Sequence, residues 1–380
     1  MKSIYSQQEG EYLYQQIIHS MDKTKILLSQ AVPGMVIAAD IFTKDGNLII
    51  ARDTPLTDKS IARLEFHSIL ELTVFSTPAS LSIDFNVQKE TYIEKIKKSE
   101  SFHRFHKAYQ ITARTLKDSL DGVLQSQKEL DEDKLLSDTE RILSQCNTNT
   151  DLLHMLHCIR EYDDSTYVHC LNVSLICNII GRWLHFTPRE LEIITLCGLL
   201  HDIGKLAIPS QIILKPSKLT MEEYDTIKTH TIRGYNLIKN QNIDTRIKYA
   251  ALMHHERCDG SGYPYGFHSD QIDSFAKLVA IADVYDAMTC CRVYRGSLCP
   301  FEVISIFEAE GYTKYDPKYI MTFMEGIAET YINNTVKLSN EMIGEIVLIN
   351  KMNLSRPVVK VRNQFIDLSK NKDILIKAFV

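Results

Sequence analysis

The stretch Ala251 to Gly266, "ALMHHERCDGSGYPYG", joins two adjacent histidines to a carboxylate-bearing, glycine-rich loop. Histidine is the commonest nitrogen ligand for metals, and glycine lets backbone approach a ligand closely. The pair reads as half of a metal site with a substrate loop attached. The other half is offered by "LLHDIGKLAIP", where Asp202 follows His201 at the predicted end of a helix. Neighbouring helical residues splay by about 100°, so such a dipeptide can give a nitrogen to one ion while its carboxylate spans two. His169, His230 in "IKTHTIRGYN" and Asp283 in "AIADVYDAM" complete a set of five imidazoles and two carboxylates. Mixed nitrogen and oxygen donors suit iron, manganese or another borderline first-row ion better than thiolate-held zinc. Each residue alone is weak evidence, and His154, His157, His185 and His268 are read as ordinary structural histidines. The ordered set carries the argument.

The elements that must position these residues are mostly helices. "TYVHCLNVSLICNIIGRWL" places Val168, Leu171, Leu175, Ile176, Ile179 and Trp183 on one apolar stripe. Thr187-Pro188-Arg189-Glu190 and Thr220-Met221-Glu222-Glu223 are capping boxes, one opening the helix that runs to His201 and the other the helix that carries His230. Residues 25–76 read as a small α+β module. A hairpin is expected around Asp45-Gly46, a helix capped by Thr57, and a return strand at "ELTVF". Residues 88–148 are polar and helix-favouring, either a coiled or dimerising connector or a solvated helical linker. From about 340 the chain reads as β, in "IGEIVLIN", "RPVVKVR" and "QFIDLS".

Composition limits the function classes. The 380 residues are 44% hydrophobic and 24% charged, an ordinary globular balance with room for two or three domains. A net charge of -5 argues against a nucleic-acid polymer as partner, but not against a small anion drawn to a metal-rich pocket. The nine cysteines include no C-x-x-C pair and are expected to be reduced core thiols. No segment has the length and apolarity of a membrane span, and the polar start lacks a signal-peptide core. The location expected from this is cytoplasmic.

Residues 150–335 resemble the HD-GYP family, a branch of the HD metal-dependent phosphohydrolases. The motifs "HDIGKLAIP", "LKPSKLTMEEYDTIKTH", "HHERCDGSGYPYG" and "ADVYDAMTCCRVYR" follow one another in the family's order. The resemblance implies a mainly α protein: an all-helical catalytic domain at 150–335, a small α+β module at 1–85, a helical connector at 86–149 and a short β extension at 336–380. It also implies hydrolysis of cyclic di-GMP to linear 5′-pGpG, or onward to GMP, by a hydroxide bridging two divalent ions, iron or manganese. One ion is then assigned to His169, His201, Asp202 and Asp283, and the second to His230, His254 and His255 with Asp202 bridging. Some members bind a third ion through a glutamate four positions before the first histidine. Here Ser165 stands there, so two ions are expected.

The same resemblance gives the remaining roles. Lys205 stabilises developing charge, Asp202 serves both metal and chemistry, and Arg292 and Arg295 take the substrate's phosphates. Tyr263 and Pro264, with Asp259, Gly260 and Gly262, shape the pocket and offer a protein-docking loop, and Glu256 orients a ligand histidine. Cys290 and Cys291 replace residues that are more often small and polar or acidic. The expected partners are cyclic di-GMP, proteins reached through the loop or the N-terminal module, and a second copy in a homodimer. Two alternatives stay open: a cyclic-dinucleotide sensor or scaffold with little catalysis, and a phosphodiesterase for a different cyclic dinucleotide.

Overall fold

The computed structural model describes residues 23–43, 46–67, 69, 71–75, 96–126, 129–159, 166–213, 215, 220–290 and 298–380. The chain divides into two compact units, one containing residues 23–75 and the other containing residues 96–290 and 298–380 of those described. The second unit therefore takes in the described parts of the predicted connector, the helical segment and the C-terminal β region together. The protein is mainly α.

In the first unit, β1 (Lys23–Leu27) lies antiparallel to β4 (Glu71–Phe75), with Ile26 opposite Leu72. The expected hairpin is present as β2 (Ile41–Phe42) against β3 (Leu48–Ile50). Asp45 lies outside the described residues, and Gly46 takes φ 82°, a conformation that favours glycine. Helix α1 (Asp58–Phe66) starts where predicted, the Thr57 side chain accepting from Ser60 N–H. Ile26, Ile37, Ile61, Leu64, Leu72 and Val74 form its core.

The second unit begins with α2 (Glu100–Ser126), α3 (Glu132–Leu143) and α4 (Asn149–Ile159). Next come α5 (Thr166–Trp183), α6 (Pro188–Leu200), a 3₁₀ turn (Ile203–Ala207), α7 (Ser210–Ile213), α8 (Met221–Lys228), α9 (His230–Ile238) and α10 (Thr245–Met253). Helices α11 (Ser274–Thr289), α12 (Pro300–Lys314) and α13 (Pro317–Thr330) complete the bundle. Thr187 and Thr220 cap α6 and α8 as both capping boxes predict. Helix α5 is central, packed by α2, α6, α11 and α13, and it is buried on nearly every side. The one-faced stripe expected of it was too narrow: Cys170, Val173, Cys177 and Ile180 are as completely enclosed as Leu171 and Leu175. Helices that are apolar all round belong at the middle of a bundle.

Two glycines set the approaches that matter for chemistry. A Cβ on Gly198 would lie 2.5 Å from Ser174 Cα, so α5 and α6 cross backbone to backbone and bring His169 beside His201. A Cβ on Gly204 would lie 1.8 Å from His230 O and 2.5 Å from Gly234 N, which presses the 3₁₀ turn onto α9. What the fold requires of Gly204 is the missing side chain.

After α13 the chain forms an antiparallel sheet in the order β8-β7-β6-β5-β9, from β5 (Thr335–Leu338), β6 (Ile343–Leu348), β7 (Val358–Val361), β8 (Gln364–Asp367) and β9 (Ile376–Phe379). It is tied to the helices by Phe379 stacked on Tyr331 at 4.4 Å. Glu308 of α12 accepts from Leu354 N–H at 2.5 Å and from the Ser355 hydroxyl. Among the described residues no helix is long and apolar enough to cross a membrane. The described cysteines are all free thiols.

Forcing a methyl group into the Gly204 contact overpacks a fixed backbone junction. Gly204→Ala is expected to lower the stability of the helical unit by about 1–3 kcal/mol. Denaturant unfolding checks this, and an unchanged midpoint would show that the turn can move aside.

Candidate metal centre

Three of the candidate histidines sit at helix boundaries, within reach of the main-chain carbonyls of the last turn. His201 follows α6 and its Nδ1 meets Gly198 O at 2.8 Å. His254 follows α10 and its Nδ1 meets Ala250 O at 3.0 Å. His230 opens α9 and its Nδ1 meets Ile227 O at 2.8 Å. A carbonyl only accepts, so each Nδ1 carries a proton and Nε2 is the nitrogen turned inward, the one that offers a lone pair to a metal.

Those lone pairs converge on Asp202, which is 1% exposed. Its Oδ1 lies 3.2 Å from His230 Nε2 and 3.6 Å from His254 Nε2. Its Oδ2 lies 3.4 Å from His201 Nε2 and 3.7 Å from His169 Nε2. The two oxygens of one carboxylate thus divide the histidines into two groups. His230 Nε2 and His254 Nε2 are 3.2 Å apart. Burial, with positive neighbours adding to it, pushes His254 down to about 4 and keeps that ring neutral. His201 Nε2 and Asp202 Oδ1 are enclosed without a hydrogen-bond partner. Lone pairs aimed at one another and at a carboxylate, in a place closed to water, repel unless a cation lies among them. The donor set therefore fits divalent metal.

The ligand atoms of Asp202, His230, His254 and His255 lie within 4.8 Å of one another, as do those of His169, His201 and Asp202. Asp283 links the groups from α11, its Oδ1 3.0 Å from His169 Nε2 and its Oδ2 3.8 Å from His255 Nδ1. All seven predicted ligands are thus brought together. Lys205 donates to Asp202 Oδ2 from the 3₁₀ turn. Burial favours a neutral Asp202, yet Lys205 and His201 outweigh it and hold the carboxyl well below its usual range. Asp283 is held down in the same way, chiefly by His169. His169 is driven the other way: burial opposes its charge, but hydrogen bonds to Asp283 and Asp286 win and lift it to about 9.

The loop is built onto this cluster. Tyr263 stacks on His255 with ring centroids 4.6 Å apart, and its N–H donates to His255 O at 3.2 Å. The Tyr263-Pro264 peptide is cis. Glu256 was expected to orient a ligand histidine, but its carboxylate instead accepts from Tyr265 N–H at 2.8 Å and Phe267 N–H at 3.0 Å. Its side chain points away along the loop because neighbours of His255 on the chain diverge from it. Arg292, Arg295, Cys291 and Ser165 lie outside the described residues.

Two supporting residues escaped the sequence reading. Asp286 Oδ2 accepts from His169 Nδ1 at 2.8 Å. Its signal was its position three residues after Asp283 in "ADVYDAM", which puts both carboxyls on one helix face. Buried Arg257 donates to His254 O at 3.1 Å and Glu256 O at 2.8 Å, and lies 5.1 Å from the Tyr315 ring centre. No local pattern announces it.

Residues 133–319 match a family model described as HD domain. This segment is an HD domain. Every described ligand candidate lies inside it, and its His/Asp cluster is compatible with divalent metal binding. The chain is similar to a cyclic di-GMP phosphodiesterase of Pseudomonas aeruginosa, 32% identical over 204 residues, which are 53% of this chain and 49% of that protein. It is also similar to a 3′3′-cGAMP-specific phosphodiesterase of Vibrio cholerae, 37% identical over 145 residues, 38% of this chain and 34% of that protein. A solved HDG"Y"P protein from Bdellovibrio bacteriovorus aligns with a TM-score of 0.47 at 16% identity, over 80% of this chain and 98% of that one. The chain spans about half the length of the first curated relatives it matches.

Glu256 holds the loop and touches no ligand atom in this geometry. Glu256→Ala is expected to leave metal content unchanged while hydrogen exchange at residues 259–267 accelerates at least tenfold, in keeping with loss of charge-assisted hydrogen bonds of about 1.5–3 kcal/mol. Loss of metal with an unchanged loop would restore the orienting role.

Proposed function

We propose that the chain is a divalent-metal-dependent phosphodiesterase that hydrolyses cyclic di-GMP to linear 5′-pGpG. The observation that carries this is Asp202, with one oxygen toward His230 and His254, the other toward His201 and His169, and Lys205 on the same carboxylate. One ion is assigned to His169, His201, Asp202 and Asp283, and the other to His230, His254 and His255 with Asp202 shared. Imidazoles mixed with carboxylates, and no thiolate among them, favour iron or manganese. When bound, such ions neutralise phosphoryl charge and acidify water.

The chain's own residues supply the rest. Lys205 fixes a cation where charge accumulates, on a phosphoryl oxygen or on the departing 3′ oxygen. Burial opposes the charge of Lys205 but Asp202 outweighs it, so its pKa rises and the ammonium persists. Water adds to phosphorus, the P–O3′ bond breaks, and the 3′ oxygen leaves protonated, giving a 5′ phosphate. Tyr263 and Pro264 wall the pocket beside His255. Arg292 and Arg295 are assigned to the phosphates by the sequence resemblance alone. The name of the Vibrio relative makes 3′3′-cGAMP the competing substrate. The complete set of ligand candidates disfavours a sensor that has lost catalysis.

Protein loaded anaerobically with Fe(II) or Mn(II) is expected to convert cyclic di-GMP to pGpG, and Asp202→Ala to abolish turnover. Lys205→Ala is expected to keep its metal and lose about 10²–10³-fold in kcat. Chromatography of products with elemental analysis checks all three. Loaded protein that leaves cyclic di-GMP intact refutes the activity, and faster turnover of 3′3′-cGAMP refutes the choice of base.

A further inference from the structure

Asp286 stands outside the seven ligand candidates, yet it is 1% exposed and bonded to one of them. His201, His230 and His254 each rest Nδ1 on a main-chain carbonyl. His169 rests Nδ1 on a carboxylate, Asp286 Oδ2, at 2.8 Å. The reason lies in its position. His169 belongs to helix α5, whose interior carbonyls accept the helix's own N–H groups, so the acceptor comes from a neighbouring helix. Helix α11 crosses there and presents Asp283 and Asp286 three residues apart, on one face. The imidazole is held between them, Nε2 toward Asp283 at 3.0 Å and Nδ1 toward Asp286. Cys290, one turn further along the chain, donates its thiol to Asp286 Oδ1 at 3.5 Å and steadies the carboxylate.

We infer that Asp286 is a positioning residue that fixes the Nδ1–H tautomer of His169 and makes the two ion positions unequal. A carboxylate behind an imidazole raises its donor strength more than an amide carbonyl does. The position served by His169 and His201 therefore depends on a replaceable side chain. The position served by His230 and His254 is oriented by main chain and is indifferent to Asp286. This rests on the two-ion assignment proposed above.

The experiment is anaerobic reconstitution with Mn(II), elemental analysis of the bound metal, and titration of the Mn(II) electron paramagnetic resonance signal. It uses the full chain, Asp286→Ala, Asp286→Asn and Asp286→Glu. The wild-type chain is expected to bind two ions. Asp286→Ala is expected to bind one tightly and the other with affinity lowered about 10–100-fold, with unchanged circular dichroism. Asp286→Asn, whose amide oxygen can still accept from Nδ1–H, is expected to recover most of the second site. If Asp286→Ala fails to fold, Asp286→Asn decides alone, through a second-site affinity between wild type and one-ion binding. Two ions of unchanged affinity in the folded Ala variant, or in Asp286→Asn when it decides alone, overturn the inference. Loss of both ions from a folded variant also overturns it. A wild-type chain that binds fewer than two ions overturns the assignment beneath it instead.

Discussion

A buried carboxylate surrounded by imidazole lone pairs is the constraint to which the rest of the second unit answers. Asp202 is enclosed, and nitrogens from α5, α9 and the ends of α6 and α10 approach it from two sides. Without a cation this arrangement is repulsive in a medium that screens poorly. The surrounding helices hold these side chains where a cation would join them. Gly204 and Gly234 bring the turn after Asp202 against α9, and Gly198 lets α6 lie on α5. Asp202 is therefore placed by backbone contacts, while Lys205 supplies fixed positive charge beside it.

Helix termini do much of the orienting. A helix ends with carbonyls that its own N–H groups cannot satisfy, and a histidine just beyond can take one with Nδ1. His201 does this and His230 uses the end of α8, while His254 Nδ1 shares Ala250 O with its own main-chain N–H. Each contact fixes which nitrogen faces the pocket. His169, inside a helix, needs Asp286 for the same purpose.

The same logic separates what the sequence revealed from what it hid. The ligand candidates were legible because residue type and order survive in one dimension, and the boundaries at Thr57, Thr187 and Thr220 were legible because caps are local. The depth of burial of α5 was not, since it depends on the six described helices packed round it rather than on its own period. Asp286 acts on a group brought near by folding, His169, 117 residues away along the chain, and Arg257 meets the Tyr315 ring in the same way. Glu256 was misread because adjacency to His255 was mistaken for contact, although consecutive side chains diverge. Residues 88–148 read equally as a coiled or dimerising connector or a solvated linker, and the pattern did not reveal the contact of Tyr109, whose hydroxyl lies 2.6 Å from Asn172 Oδ1 and 3.2 Å from Val168 O.

That contact bears on how the metal cluster is held, because Val168 and Asn172 flank His169 on α5. Helix α2 also packs against the turn that carries Lys205. Charge completes the argument. Asp202, Asp283 and Asp286 are buried, with the half-buried Lys205 beside them, an excess of two negative charges when the histidines are neutral. Two divalent ions in the proposed positions turn that excess into two positive charges, confined to a pocket of low polarity. A chain with net charge -5 can then draw a phosphodiester to this one place and repel it elsewhere. Under the proposed function the metal would both enable hydrolysis and create the field that brings the anion to it.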